Sequence, residues 1–170
     1  MIYENILSMR GGSMEVKMNT STGADVRQKI ERLLDQANSK ENWTCFATVN
    51  ENGYPELREM GIILRDGLKV YLVSAKGTCK VQQIKHNNKV CLRAFSPEYS
   101  ESVNLFGTAK LHENEAKRQW FWEKAPDMLA EYFHGPNDPE IEVIEILPDY
   151  LEYVSHAKKA QESKIRLLMS

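Results

Sequence analysis

The chain has 170 residues, 42% of them hydrophobic and 27% charged, with a formal net charge of −2 at pH 7. That is enough for one domain with a sizeable core, and the near-neutral balance excludes a global basic field that would recruit nucleic acid or an anionic membrane. Cys45, Cys79 and Cys91 are irregularly spaced, which excludes a disulfide framework and a CxxC zinc site and suits a reducing cytoplasm.

The opening MIYENILSMRGG has no signal-peptide core, and no run of transmembrane length follows. Residues 1–23 are rich in Ser, Thr, Gly, Asn and Met and read as a poorly ordered extension, with Met14 as an alternative start. The domain proper is expected over 24–156. Thr22-Gly-Ala-Asp25 resembles a capping box, and Val26, Ile30, Leu33, Leu34 and Ala37 then share one helical face. This predicts an amphipathic helix ending near Asn38. A strand over 43–50 follows, with Trp43, Cys45, Ala47 and Val49 on one face and Thr44, Phe46 and Thr48 on the other.

The stretch from Gly53 to Gln83 organises the rest. Residues 56–64 and 68–74 are β-rich runs separated by Arg65-Asp66-Gly67, a short hairpin signal. With Asp66-Gly67 as the loop, Arg58 faces Ala75; a loop one residue different puts it opposite Ser74. Thr78 is then placed to cap a helix over 79–86, and a helix N-terminus favours anions. Arg58, Lys76 and Lys80, with the hydroxyls of Ser74 and Thr78, would converge there as an anion site, Arg offering a planar fork and Lys a movable charge. Cys79 opens the same helix, where thiol pKa values fall.

Further strands are expected over 89–96 and 102–111, the second carrying Gly107 as a bulge or close approach. A helix over 113–125 is interrupted at Pro126 and continues to Phe133; Trp120, Trp122, Tyr132 and Phe133 read as core or subunit interface rather than a base-stacking platform. After the loop Gly135–Pro139 come strands over 141–147 and 150–154, and the tail 157–170 has a basic, apolar helical look. The order indicates a mainly β fold with flanking helices, a roughly six- to seven-stranded antiparallel barrel. The histidines show no pairing in the sequence, and His134 beside Gly135-Pro136 is the one to test for chemistry.

Five stretches resemble one family: ATVNENGYP running into Pro55-x-x-Arg58-Glu59-Met60, VYLVSAKGTCKVQQI, HNNKVCL, VNLFGTAKL and GPNDPEIEVIEILPDYLEYV. Together they are similar to the pyridoxamine 5'-phosphate oxidase-like flavoproteins, with their FMN-binding split barrel, and most similar to the small bacterial subgroup of general-stress-protein type. The resemblance implies a homodimer with FMN in a groove between subunits. By position, Arg58 and Lys80 would hold the phosphate, with Thr78 and Ser74 hydrogen-bonding nearby. Backbone around Glu59-Met60 and Val73-Ser74 would line the isoalloxazine. Two departures matter. The tail VSHAKKAQESKIRLLMS lacks the Arg-rich, Trp-bearing segment that reads pyridoxal phosphate, so true pyridoxamine-phosphate oxidation is not expected. Ser102 stands where the oxidase has a flavin-contacting Gln, and it is too short for that reach. The implied activity is an FMN-dependent oxidoreductase acting on a small molecule or electron acceptor, with a nicotinamide donor. The alternatives are a non-catalytic flavin-binding stress protein, or a split barrel that takes haem or a deazaflavin.

Overall fold

The computed structural model describes residues 8–10, 13–17, 20–37, 42–158 and 161–169. Of the expected N-terminal extension, residues 1–7, 11, 12, 18 and 19 lie outside the described residues. The segments between them form two short strands, β1 (Ser8–Arg10) and β2 (Ser13–Lys17). Helix α1 (Ser21–Gln36) follows. Its cap is Thr20 rather than Thr22: Thr20 has extended backbone angles, and its hydroxyl accepts from the Gly23 N–H at 3.0 Å. Val26, Ile30, Leu33 and Leu34 are buried along one stripe, as the spacing requires.

The sheet continues with β3 (Thr44–Val49), β4 (Pro55–Met60), β5 (Leu64–Asp66) and β6 (Lys69–Ala75), then helix α2 (Cys79–His86). After it come β7 (Lys89–Phe95), β8 (Glu101–His112), helices α3 (Glu115–Lys124) and α4 (Pro126–Leu129), β9 (Ile141–Lys158) and β10 (Gln161–Leu168). The ladder runs β1-β2-β10-β9-β8-β7-β3-β4, and β6 pairs with β9 and carries β5. Every pairing is antiparallel except β2 with β10.

The mainly β fold with flanking helices is as expected, and the neighbours reported below are split barrels. Four details differ from the sequence expectation. The run over 56–64 is broken: Gly61, Ile62 and Ile63 leave the strand, so β4 pairs with β3 while β5 turns to β6. The hairpin turn is Gly67-Leu68, with Asp66 opposite Lys69 and Gly67 at φ +61°. The two expected late strands are one, because Pro148, which lacks an N–H, sits opposite Gly107 at a register shift where none is needed. The tail is strand β10, not a helix: Leu167 is fully buried in the core cluster and the chain pairs with both β9 and β2, so tertiary pairing overrides a helical-looking composition.

The interior holds Phe46, Leu72, Leu92, Leu105, Ile144 and Leu151, closed by α1. A second cluster, Tyr71, Phe121, Leu129, Phe133, Ile141 and Val143, packs α3 and α4 on the opposite face of β6 and β9. This accounts for the aromatic group as core, with Trp120 and Trp122 packed against it and Tyr132 left exposed. Among the described residues no helix is long and apolar enough to cross a membrane.

Candidate functional site

The broken strand creates the site. β4 is the last strand of the ladder, so one edge has no partner among the described residues. β6 pairs with β5 only over residues 69–71, so its edge at Val73–Ala75 also lacks a strand on that side among the described residues. Between these two lips lies a cavity of about 1040 Å³. It collects Arg58, Glu59, Met60, Val73, Ser74, Thr78, Cys79 and Lys80 of the sequence-predicted set. Lys76 is not on its wall; its N–H donates to the Glu140 carbonyl at 2.8 Å and its side chain acts on Glu113 and Glu142 instead.

Arg58 does not face Ser74 or Ala75 across a hairpin, as the sequence suggested. It sits opposite Phe46 on β3. Strand alternation turns Glu56, Arg58 and Met60 inward, towards Thr48, Phe46 and Thr44. Arg58 Nη1 donates to Thr48 Oγ1 at 2.6 Å and Nη2 to Gln83 Oε1 at 3.2 Å, with Glu56 Oε2 at 3.6 Å. Gln83 Nε2 donates to Glu56 Oε2 at 2.7 Å, and Asn50 Nδ2 to Glu56 Oε1 at 2.9 Å. These two bonds hold the Glu56 carboxyl below the usual range. Thr48 and Gln83 thus fix the guanidinium, and neither was singled out from the sequence. The available signal was Gln83 three residues after Lys80, which puts both on one face of α2.

From the other lip, Ser74 Oγ lies 2.9 Å from Thr78 Oγ1 and accepts from Lys80 Nζ at 3.1 Å. Thr78 occupies the N-cap position of α2, but its hydroxyl makes no capping bond; it donates to the Ala75 carbonyl at 3.0 Å. Burial pushes the pKa of Lys80 down, and the neighbouring Arg58 pushes it further in the same direction. Burial likewise lowers Arg58, against the opposing pull of Glu56 and Cys79. Lys80 makes no ion pair among the described residues. Two partly desolvated cations that repel each other beside two hydroxyls form a cup that an anion would relieve.

Cys79 is exposed on this wall, while Cys45 and Cys91 are half-buried on the sheet and all three are free. Burial pushes the Cys91 thiol up to about 11. His134 is exposed and does not line the cavity, and its N–H donates to Asp138 Oδ2 at 3.0 Å. His112, expected to be unpaired, lies 2.7 Å from Glu145 Oε2, which Tyr71 also meets through its hydroxyl at 2.9 Å. Ser102 is buried with no partner for its Oγ among the described residues. Sequence reasoning missed part of the cavity lining: Trp43, Asp127, Met128, Glu131 and Tyr132 come from loops and a one-turn helix with no motif.

Comparison with known proteins gives a consistent picture. Residues 27–155 match the family model for pyridoxamine 5'-phosphate oxidase. The chain is 27% identical over 145 residues to general stress protein 26 of Bacillus subtilis, covering 82% of this chain and 95% of that protein. A Clostridium acetobutylicum protein related to general stress protein 26 superposes with a TM-score of 0.72 at 24% identity, over 85% of this chain and 95% of that one. A pyridoxamine 5'-phosphate oxidase-related, FMN-binding protein of Nostoc punctiforme superposes with a TM-score of 0.64 at 14% identity, over 85% of this chain and 89% of that one.

Proposed function

The chain belongs to the pyridoxamine 5'-phosphate oxidase family, and from that premise we propose that it is a homodimeric flavoprotein binding FMN in the split, an oxidoreductase acting on a small molecule. The observation that carries the reading is the cup of Arg58, Lys80, Ser74 and Thr78, where two partly desolvated cations meet two hydroxyls in one cavity. A phosphate monoester supplies the missing negative charge and several acceptor oxygens. The residues present fit the group. Arg58, held by Thr48 and Gln83, presents its fork, and Lys80 is tethered to Ser74. The free edges of β4 at Glu59–Met60 and of β6 at Val73–Ser74 offer backbone groups to a planar heterocycle. FMN, when bound, supplies the redox chemistry; the chain holds its phosphate, orients its ring and excludes water from one face.

Homodimer formation is supported by the outer side of the sheet. Strand alternation places Cys45 and Ala47 of β3, Cys91 and Arg93 of β7, Phe106 of β8 and Tyr150 of β9 on one face. These residues are half-buried and belong to neither core cluster. Phe106 and Tyr150 stack there with ring centroids 4.7 Å apart. Leu57 and Glu59 continue that face up to the cavity, so a second copy seated on it would also border the ring site.

The test is an absorption spectrum of freshly purified protein followed by FMN titration. Flavin bands are expected; a haem or deazaflavin spectrum would overturn the cofactor. Arg58→Ala should weaken FMN about ten- to a hundredfold, since a charge-assisted bond is worth roughly 1.5–3 kcal/mol. Unchanged affinity removes Arg58 as a ligand. Oxidation of a reduced nicotinamide in the presence of an acceptor then separates an oxidoreductase from a non-catalytic flavin-binding stress protein.

A further inference from the structure

One acid stands behind the cup without lining the cavity. Along β6 and β9 three cross-strand pairs share one face: Val70 with Ile146, Leu72 with Ile144, and Ser74 with Glu142. The first two pairs are buried core. The third ends that row with a hydroxyl and a carboxyl, 6% and 0% exposed. Ser74 Oγ belongs to the cup, where it accepts from Lys80 Nζ and lies beside Thr78 Oγ1. Glu142 is not on the cavity wall, and neither of its oxygens has a hydrogen-bond partner among the described residues. The charged groups that act on it come from four neighbouring segments: Lys76 after β6, Lys85 of α2, Glu113 after β8 and Arg118 of α3. Among the described residues none of these cations pairs with it. Lys85 is engaged with Glu113, and Arg118 Nη1 donates to the Glu113 carbonyl while its Nε has no partner. A buried carboxyl that makes no bond costs stability, and such local losses are tolerated where function requires them.

We propose that Glu142 is a positioning residue that links occupation of the cup to a proton: the phosphate of FMN binds more tightly when the Glu142 carboxyl is neutral, so binding takes a proton up from solvent onto it. The inference rests on the flavin reading, in that the anion sensed is the FMN phosphate. The two negative groups stand on either side of Ser74, one in the cup and one behind it. Each disfavours the charge of the other, and the low-dielectric interior weakens solvent screening between them. Burial already pushes the Glu142 carboxyl above its ordinary range, Glu113 adds to that, and Lys76, Lys85 and Arg118 oppose it. A phosphate in the cup raises it further. By linkage, affinity is highest below the value in the empty protein, falls as pH rises through it, and levels off above the value in the occupied one. The coupling passes through space and needs no contact between Glu142 and the ligand.

The experiment titrates FMN calorimetrically into the unsubstituted protein and the Glu142→Gln variant from about pH 5 to pH 8, in buffers of different ionisation enthalpy. The phosphate monoester's own second ionisation, near pH 6, and that of Lys80 are common to both proteins and cancel in the comparison. One linked proton changes affinity at most about tenfold per pH unit, so the ratio of unsubstituted to variant Kd should rise about three- to tenfold across the range. The unsubstituted protein should also take up more protons per FMN than the variant. Glu142→Met, which removes the carboxyl differently, should give the same rise. Riboflavin, which lacks the phosphate, should show no such difference. A ratio that stays flat with pH for both variants, equal proton uptake, or the same difference with riboflavin overturns the proposal. Failure of the unsubstituted protein to bind FMN defeats the flavin reading and this inference with it, whereas FMN binding with a flat ratio defeats this inference alone.

Discussion

Replacing Glu142 with Met should stabilise the protein. Glu142 stands on β9 directly beside Ser74 of β6, is fully buried, and neither carboxylate oxygen has a hydrogen-bond partner among the described residues. The charges facing it are Glu113, Lys76, Lys85 and Arg118, and Lys85 is already engaged with Glu113 at 3.1 Å. Burial pushes the Glu142 carboxyl above its ordinary range, Glu113 adds to that, and the three cations oppose it. A carboxyl raised on folding contributes stability that is present below the ordinary carboxylate value and is lost as pH rises through the folded one. Leaving such a group buried without partners costs about 1–3 kcal/mol. Met removes both oxygens at similar volume, so a gain of about 1–3 kcal/mol is expected at pH 7, less the small cost of repacking. For a chain of this size that is about 2–12 °C in Tm. Thermal melts by circular dichroism between about pH 4 and pH 8 provide the assay, and the gain should widen as pH rises from the carboxylate range. Glu142→Gln keeps the shape and a polar head, so it should lose the pH dependence while gaining less at pH 7. A Met variant less stable at pH 7, or a gain constant from pH 4 to pH 8, would refute the reasoning.

Lys80→Ala should weaken FMN in the same direction as Arg58→Ala, and the loss should be smaller at high salt. Because burial and Arg58 hold the Lys80 ammonium below its usual range, FMN affinity should decline as pH rises through that lowered value, and the variant should flatten this limb of a fluorescence titration. Gly107→Ala should cost about 1–3 kcal/mol in a denaturant melt, by the overpacking argument, because a Cβ there would lie 2.3 Å from the Leu147 carbonyl oxygen. Tyr150→Glu should shift sedimentation from dimer to monomer by placing a charge on the outer sheet face; a dimer that survives it places the second copy elsewhere.

The elements that read well from the sequence are those whose local pattern and tertiary fate agree. α1 has a clean apolar stripe, β3 and β8 alternate, and Pro126 opens a helical turn at its first position, where its missing N–H costs nothing. The misreadings occur where long-range pairing decides. Residues 161–168 look helical in composition, yet Leu167 needs a buried face and finds one as a strand beside β9. Pro148 reads as a break, yet at a bulge it costs no hydrogen bond. The part of the cavity wall made by Asp127, Met128, Glu131 and Tyr132 was invisible because those residues come from α4 and the turn beyond, and only the closed fold brings them to β4 and β6.

The candidate cup was predicted from a hairpin longer than the one that forms, which reaches back only to Leu64, and the reason it nonetheless assembled lies in Gly61–Ile63. A continuous strand over 56–64 would have put Arg58 and Ser74 on neighbouring strands, each satisfying the other's backbone and leaving no room between. Because the chain leaves β4 after Met60, Arg58 remains with β3 while Ser74 goes to β9. The two residues then stand on opposite lips of an opening instead of side by side in a ladder. α2 spans the gap, with Lys80 reaching Ser74 at one lip and Gln83 reaching Arg58 at the other. Arg58, Ser74, Thr78 and Lys80 converge in both arrangements and Lys76 does not, but only the broken strand leaves two backbone edges unpaired among the described residues and a cavity between them. The split is therefore a property of three residues that decline to be a strand, and it brings Arg58 and Lys80 to one opening, near enough for the guanidinium to lower the ammonium's pKa.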